Sequence, residues 1–295
     1  MGLIYKSLTD EDFKVLLALE RSLTNREYAP LQVIEKISGI YEEKLQLVLR
    51  KLHDLKLVKR ETISGEKMYR LTYLGYDMLA IRSLAKANIL EAIGDRIGVG
   101  KESEIYLGLA PGGLQVAVKF IRIGKTSFRQ TMRVRVWARD KPQTSWYEQS
   151  KIAAEREFKA IKELASYKAH VPNPTGYNRH VVVTEFIEGV ELYRRPSLDN
   201  PGKVLSEILF TLTIAYHRAG IIHGDLSEYN VLIRKSDEKP FIIDWPQYVY
   251  REDPSARDLL KRDVFYIVKF FNKVYGTSLE PESVFNTIIM GNHLG

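Results

Sequence analysis

Two carboxylates and an amide fall at spacings that suit phosphoryl transfer in one stretch of this chain. The stretch is His223-Gly224-Asp225-Leu226-Ser227-Glu228-Tyr229-Asn230-Val231-Leu232-Ile233, followed by Ile242-Ile243-Asp244. That chemistry asks little covalent work of a protein. It needs a positioned nucleophile and neutralisation of the charge that spreads over the phosphate oxygens. Asp225 can accept a proton, while Asn230 and Asp244, one before and one after a strand pair, supply hard oxygen ligands. Mg2+ takes carboxylate and amide oxygens alongside substrate phosphates. Taken singly, Asp225 reads as a helix cap and Asp244 as a turn residue. Together, with a strand on each side, they read as catalytic base and metal ligands.

Lys119 ends the run Val116-Ala117-Val118-Lys119. Side chains alternate along a strand, so Ala117 and Lys119 share a face, and Ala117 can floor an adenine while Lys119 reaches phosphate. The next helix offers Glu155 and Glu157 as partners for the ammonium, and its apolar stripe is Ala154, Phe158, Ile161 and Ala165. At about 100° per residue, Glu157 lies nearer that stripe and is favoured. Upstream, Gly98-Val99-Gly100-Lys101-Glu102-Ser103 precedes the strand pair that carries Lys119. Its glycines let backbone N–H groups close on phosphates, and Ser103 adds a hydroxyl. The P-loop pattern GxxxxGK[ST] fails here, because no glycine stands at the required earlier offset and Glu102 replaces the Ser or Thr. Thr184-Glu185-Phe186-Ile187-Glu188-Gly189 reads as a hinge whose backbone at Glu185 and Ile187 meets the base edge. Leu232 and Ile243 complete the nucleotide-binding set.

These residues need a scaffold, and the pattern supplies one. From Ile97 onward come strands at 105–109 and 115–121 joined by Pro111-Gly112-Gly113, then a helix from about 150 to 166 and a β-branched strand at 181–186. A long helix at about 201–219, two short strands at 231–234 and 241–243, and a helical remainder from Asp258 follow. A small sheet lobe ahead of a helical lobe is a bilobal arrangement.

Before it, Thr9 caps a helix bearing Phe13, Leu16, Leu17 and Leu19, and Pro30 opens a second with Val33, Ile34 and Ile37. Ser38-Gly39 breaks that helix, and a third buries Leu45, Val48, Leu49 and Leu52. Two strands around Ser64-Gly65-Glu66 follow, then a helix at about 73–84. Three helices and a hairpin form a winged helix. The fold class is α+β, an N-terminal winged helix followed by a reduced bilobal domain. The expected boundaries are 1–84 for the winged helix, 85–92 for a linker and 93–295 for the catalytic domain. Within the last, the sheet lobe covers 93–185, the hinge 185–190 and the helical lobe 191–295, with a flexible basic loop at about 122–147.

The chain has 295 residues, no cysteine and a formal charge of +7. Lacking thiols, it has no disulfides, thiolate zinc sites or cysteine nucleophiles, and it fits a reducing cytoplasm. No apolar run near the start resembles a secretory signal, and none is long enough to cross a bilayer. From Arg122 to Lys141 stand seven basic residues against Asp140, which concentrates the positive charge in one strip that attracts nucleic acid or other polyanions. A winged helix adds a second route to nucleic acid, although Glu42 and Glu43 at the start of its third helix oppose phosphates.

Three segments behind the winged helix resemble the Rio family of atypical protein kinases, in its winged-helix-bearing second type. They are Gly98-Val99-Gly100-Lys101-Glu102-Ser103-Glu104-Ile105-Tyr106, the His223-to-Asn230 run and Ile243-Asp244-Trp245-Pro246-Gln247. The resemblance covers nearly the whole chain. It implies ATP with Mg2+ or Mn2+ and serine autophosphorylation, for which Ser127 is a candidate acceptor in the family's flexible loop. It also implies a part in maturing the small ribosomal subunit, with a pre-ribosomal particle as partner, and a phosphoryl group carried on Asp244 during ATP hydrolysis. Departures from ordinary protein kinases have physical meaning. Gly224 replaces the arginine that reads a phosphorylated activation loop, and Ser227 replaces a lysine that steadies the γ-phosphate. Trp245-Pro246 stands where the Phe-Gly pair follows the metal Asp, and no Ala-Pro-Glu segment is present. These features favour a slow ATPase or self-phosphorylating switch. Two rivals share part of the pattern. One is a small-molecule phosphotransferase of the aminoglycoside or choline kinase type, which also uses His-Gly-Asp-Leu and Ile-Asp-Trp. The other is a non-catalytic winged-helix RNA or ribosome adaptor with an ATP-sensing lobe, against which the joint retention of Lys119, Asp225, Asn230 and Asp244 speaks.

Overall fold

The computed structural model describes residues 1–123 and 146–291. Ser127 and the basic residues from Lys125 to Lys141 lie outside the described residues. The chain divides into two compact units, Met1–Asp95 with Gly108–Gly113, and Arg96–Leu107 with Leu114–Gly295.

The first unit begins with α1 (Gly2–Lys6), which buries no residue, and α2 (Asp10–Ser22). Thr9 Oγ1 accepts from Asp12 N at 3.3 Å while the Asp12 carboxylate accepts Thr9 N–H at 2.7 Å. This reciprocal cap satisfies two orphan donors at the helix start. β1 (Ala29–Pro30) leads into α3 (Leu31–Ser38), which stops at Gly39 in the left-handed conformation. α4 (Glu42–Asp54) buries Leu45, Leu49 and Leu52 but leaves Val48 only partly covered. Ile37 also differs from expectation: it is exposed, because the short α3 buries only Ile34. β2 (Val58–Ile63) and β3 (Glu66–Leu71) turn through Ser64 at φ 51° and Gly65 at φ 85°, the paired left-handed conformations of a type I′ hairpin. β1 adds to the other edge of β3, giving the order β1-β3-β2, and α5 (Tyr73–Lys86) completes the winged helix.

The catalytic elements form a five-stranded sheet of order β4-β5-β6-β8-β7, from β4 (Ala92–Val99), β5 (Ser103–Ala110), β6 (Leu114–Ile121), β7 (Pro174–Asn178) and β8 (Val181–Glu185). Val116, Val118 and Phe120 of β6 are buried, which turns Ala117 and Lys119 to the opposite face. α6 (Trp146–Ser166) is helical from Trp146, the first residue described after Ile123, ahead of the position the sequence suggested, and Ser150 Oγ bonds back to Trp146 O at 2.9 Å. β9 (Gly189–Glu191) leads to α7 (Pro201–Ile214). The single helix expected to reach Ala219 instead widens into a π turn at Ala215–Ala219, closed by left-handed Gly220. Single π turns recur beside functional sites, and this one delivers the chain into β10 (Ile221–Ile222) and the His223 loop. β11 (Val231–Arg234) lies between β9 and β12 (Pro240–Ile242), and β13 (Val249–Tyr250) pairs with β10. α8 (Ala256–Tyr275) and α9 (Pro281–Met290) pack with α6 and α7 around a core that includes Trp245, Leu209, Val264, Phe271 and Phe285.

Candidate active site

Three of the residues singled out from sequence meet at one point. Lys119 Nζ lies 2.8 and 2.9 Å from the two Glu157 oxygens and 2.6 Å from Asp244 Oδ1. Each comes from a different element: β6, α6 and the loop after β12. Burial alone would push the ammonium pKa down, but Asp244 and Glu157 outweigh it and hold it above its ordinary value. Burial pushes the Glu157 carboxyl up, opposed by Lys119 and reinforced by the charge of Asp244. Glu155, the alternative partner, pairs instead with Lys159 at 2.6 Å on the outer side of α6.

The His223 loop is held from beneath by groups that make no contact with solvent. His223 is fully buried, and burial lowers its pKa to about 4, so it is neutral at pH 7. Its Nε2 lies 3.1 Å from Ile243 O and its Nδ1 3.3 Å from Asp225 N. A carbonyl only accepts, so the single imidazole proton sits on Nε2 and Nδ1 accepts the Asp225 N–H. One ring therefore spaces the backbone of Asp225 from the residue before Asp244. Trp245 covers that ring at 4.6 Å and gives its Nε1–H to Ile242 O at 3.1 Å. From α8, the fully buried Asp263 accepts N–H bonds from Gly224 at 2.7 Å and Leu226 at 3.1 Å. Burial raises its pKa to about 7, against the pull of the two N–H donors and Arg262. Gly224 sits at φ 78°, where a Cβ would also come within 3.3 Å of Gln247 O.

Asn230 Nδ2 donates to Asp225 O at 2.8 Å, which leaves Oδ1 as its acceptor face. Asn230 O accepts from Ile243 N at 2.9 Å, so the Asn230 and Asp244 loops are tied together. Asp225 opens toward solvent; partial desolvation raises its carboxyl pKa, and the charge of Asp244 adds to the effect. Asp244 holds the left-handed φ of 70°, uncommon without glycine and a form of strain seen at functional sites. Among the described residues, no three His, Asp or Glu side chains gather into a ready metal cage. The donors present are the Asn230 amide oxygen and the Asp244 carboxylate. That set fits Mg2+, which keeps few protein ligands when phosphates provide the rest.

The nucleotide-side residues fall on the same unit. Gly100 N–H bonds Ser103 O at 2.8 Å and closes the turn between β4 and β5, with Val99 exposed. A Cβ at Gly100 would come within 3.1 Å of Ser103 Oγ. Glu102 O accepts the Arg122 N–H and Lys101 lies in the same turn. At the hinge, Glu185 N–H is already bonded to Asn173 O at 2.9 Å, and its carboxylate takes two bonds from Asn173. The Glu185 carbonyl accepts from the Thr184 hydroxyl at 3.2 Å. Ile187 N–H has no backbone partner among the described residues. Leu232 and Ile243 are half-buried on the two sides of the Asn230 loop. A cavity of about 250 Å³ is lined by Lys168, His170, Glu185, Arg234, Lys239 and Phe241, and none of the phosphate-handling residues takes part in it.

Asp263 escaped the sequence reading. Its signal was present, since a carboxylate at 263 falls within the apolar stripe of Leu260, Val264, Ile267 and Phe271. A charge on the buried side of an amphipathic helix needs partners.

A sheet-borne lysine paired to a helix glutamate, facing an Asp–Asn loop and a second Asp, defines a protein-kinase-like phosphotransferase. Comparison with known proteins narrows the class. The model for the RIO domain matches residues 104–284, and the model for the Rio2 N-terminal domain matches residues 5–87. The serine/threonine-protein kinase rio2 of Schizosaccharomyces pombe is 35% identical over 268 residues, covering 91% of this chain and 77% of that protein. The RIO-type serine/threonine-protein kinase Rio2 of Methanocaldococcus jannaschii is 35% identical over 266 residues, covering 89% of this chain and 96% of that protein. The crystal structure of the Chaetomium thermophilum Rio2 kinase in its ADP/Mg2+-phosphoaspartate complex superimposes with a TM-score of 0.84 at 31% identity, covering 100% of this chain and 90% of that chain. The chain belongs to the RIO kinase family, in its winged-helix-bearing Rio2 branch, and is an enzyme of the serine/threonine protein kinase class.

Proposed function

We propose that the chain binds ATP with Mg2+ or Mn2+, hydrolyses it slowly and phosphorylates itself, using the turnover as a nucleotide-dependent switch in small ribosomal subunit maturation. The observation that supports this best is the meeting of Lys119, Glu157 and Asp244 beside the Asp225–Asn230 loop. In this reading Lys119 leaves Asp244 for the α- and β-phosphates while Glu157 keeps its ammonium in place. Asn230 and Asp244 hold the metal, whose chemistry is to screen charge on the phosphate oxygens. The turn at 98–103 covers the phosphates, the Glu185 carbonyl and Ile187 N–H meet the adenine edge, and Ala117, Leu232 and Ile243 pack against the base. Asp225 accepts the proton of the attacking hydroxyl or water, and the burial that raises its pKa makes it a stronger base.

The Chaetomium kinase complex contains a phosphoaspartate, which supports Asp244 as the residue that takes the phosphoryl group here. A carboxylate oxygen would form the new P–O bond as ADP leaves, and water would then release phosphate. Autophosphorylation would fall on Ser127. The winged helix (1–84) and the basic loop would bind RNA or protein of a pre-ribosomal particle, with 93–295 as the kinase domain, in the cytoplasm.

Turnover of γ-labelled ATP, following free phosphate and protein-bound label together, tests the core of this. Wild type should release phosphate or label itself, Asp225→Ala and Asp244→Ala should do neither, and EDTA should stop the reaction. A wild type that binds ATP without either product would make the chain a nucleotide-sensing adaptor. For the RNA contact, neutralising Arg129, Arg133 and Arg135 should weaken binding and flatten its salt dependence; salt-independent binding would defeat that half of the reading.

A further inference from the structure

Next to Glu157 on α6 stands Arg156, and adjacent helix residues point about 100° apart. Glu157 turns to Lys119, while Arg156 turns to the chain that follows Asp244. Its Nε donates to Pro246 O at 3.0 Å, its second nitrogen donates to Tyr248 O, and its guanidinium lies 4.1 Å from the centre of the Tyr248 ring. Tyr248 is buried, and Trp245 at the near end of the segment is fully buried against His223. At its far end the segment enters β13, which pairs with β10 immediately before His223. The contacts close into a ring: Asp244 to Lys119, Lys119 to Glu157, along α6 to Arg156, then through Pro246 back to Asp244. In ordinary protein kinases the helix bearing the glutamate and the segment after the metal Asp move separately, and an activation loop sets them. Here one guanidinium holds both.

We propose that Arg156 is a positioning residue, clamping α6 to residues 246–248 so that Glu157, Lys119 and Asp244 stay assembled without an activation-loop event. This rests on the catalytic reading of those three residues. A planar fork suits the task, since it reaches two carbonyls and lies flat on a ring, and a lysine offers only a point charge. The proposal accounts for how this chain dispenses with the arginine replaced by Gly224 and still presents a paired Lys119.

The test compares Arg156→Ala and Arg156→Lys with wild type, reading kcat and KM for ATP in the full chain, then adding ethylguanidine. Arg156→Ala should lose at least about tenfold in kcat while KM for ATP changes less than about threefold, and ethylguanidine should restore part of the loss. Arg156→Lys should recover little. Hydrogen–deuterium exchange provides a reading independent of turnover: Arg156→Ala should speed exchange in 146–166 and 245–250 together. Faster exchange in both with an inactive wild type would uphold the clamp and defeat the catalytic reading. A kcat within twofold of wild type overturns the proposal. So does a loss of activity matched by loss of ADP binding without rescue, or exchange unchanged in either segment.

Discussion

The two units treat charge in opposite ways. In the winged helix the ion pairs stand at the surface: Lys44 with Glu11, Arg82 with Asp10 at 2.6 Å, and Arg70 with Glu27 at 3.0 Å. Its interior is Phe13, Leu16, Leu19, Leu45 and Leu49. Of its two buried carboxylates, Asp12 and Asp77, Asp12 serves a helix cap and pairs with Lys51 at 2.5 Å. In the catalytic unit Glu157, His223 and Asp263 are buried and Lys119 nearly so. Exposed pairs contribute about 0–1 kcal/mol. Buried ones gain little over an apolar replacement, because desolvation offsets their attraction. Folding alone therefore gives no reason to place four ionisable groups inside one unit, and positioning for chemistry does. The contrast predicts that charge removal should be cheap in the first unit and ruinous in the second.

Lys119→Ala should have the largest effect. It leaves Glu157 buried beside Asp244 with no cation between them. Breaking such a pair costs about 3–5 kcal/mol of stability, and removing one charge-stabilising group typically lowers kcat by ~10²–10³. Denaturant unfolding and labelled-ATP turnover measure the two separately. Activity retained within tenfold would break the contrast at its strongest point.

Asp263→Asn comes next. The amide has nearly the same shape, but its NH2 must face one of the two N–H donors of Gly224 or Leu226, leaving a buried group unsatisfied at about 1–3 kcal/mol. The catalytic loop would loosen while the nucleotide contacts stay, so kcat should fall at least tenfold, or ~1.4 kcal/mol of barrier, with KM for ATP nearly unchanged. A matched loss in both would mean that Asp263 supports the whole lobe rather than the loop.

Stability against pH sharpens the comparison further. Folding lowers the His223 pKa from 6.5 to about 4 through burial. The folded state thus binds fewer protons between those values, and its stability is whole above about 6.5 and lost as pH falls toward 4, by roughly 3 kcal/mol for this residue. Asp263 acts with the opposite sign. Burial raises it from 3.8 to about 7, so its contribution is whole at low pH and lost as pH rises through 7. Unfolding followed from pH 4 to 7 should therefore show a shallow slope in wild type and a steeper rise with pH in Asp263→Asn. A slope unchanged by the substitution would mean that Asp263 is ionised throughout.

How far all this was legible in the sequence depends on whether a residue acts through its type or through its surroundings. Asp225 and Asn230 announce themselves because one loop carries their spacing, Asp244 because it closes the strand pair that follows, and Glu157 was reachable from helical phase alone. The winged helix was legible because Ser64-Gly65 needs left-handed backbone and the helices carry clean apolar stripes. Arg156 and Asp263 were not singled out, since their partners are backbone atoms more than 30 residues away, which no local pattern encodes. The π turn at Ala215–Ala219 was missed for a related reason: its apolar content matches the α-helix before it, and only the demand to deliver His223 distinguishes it.

The smallest expected effect tests the other side of the contrast. Lys44→Ala removes the partner of Glu11 from a site where both side chains are about half exposed, at 58% and 45%. The ammonium is well hydrated there, and salt screens the pair. Stability should change by no more than about 0.5 kcal/mol, and ATP turnover should match wild type. A loss of RNA or particle binding with stability intact would give Lys44 a role at the surface of the winged helix. A loss of a few kcal/mol in the thermal unfolding of the variant would instead show that this unit, too, relies on its charges, and the contrast between the two regions would fall.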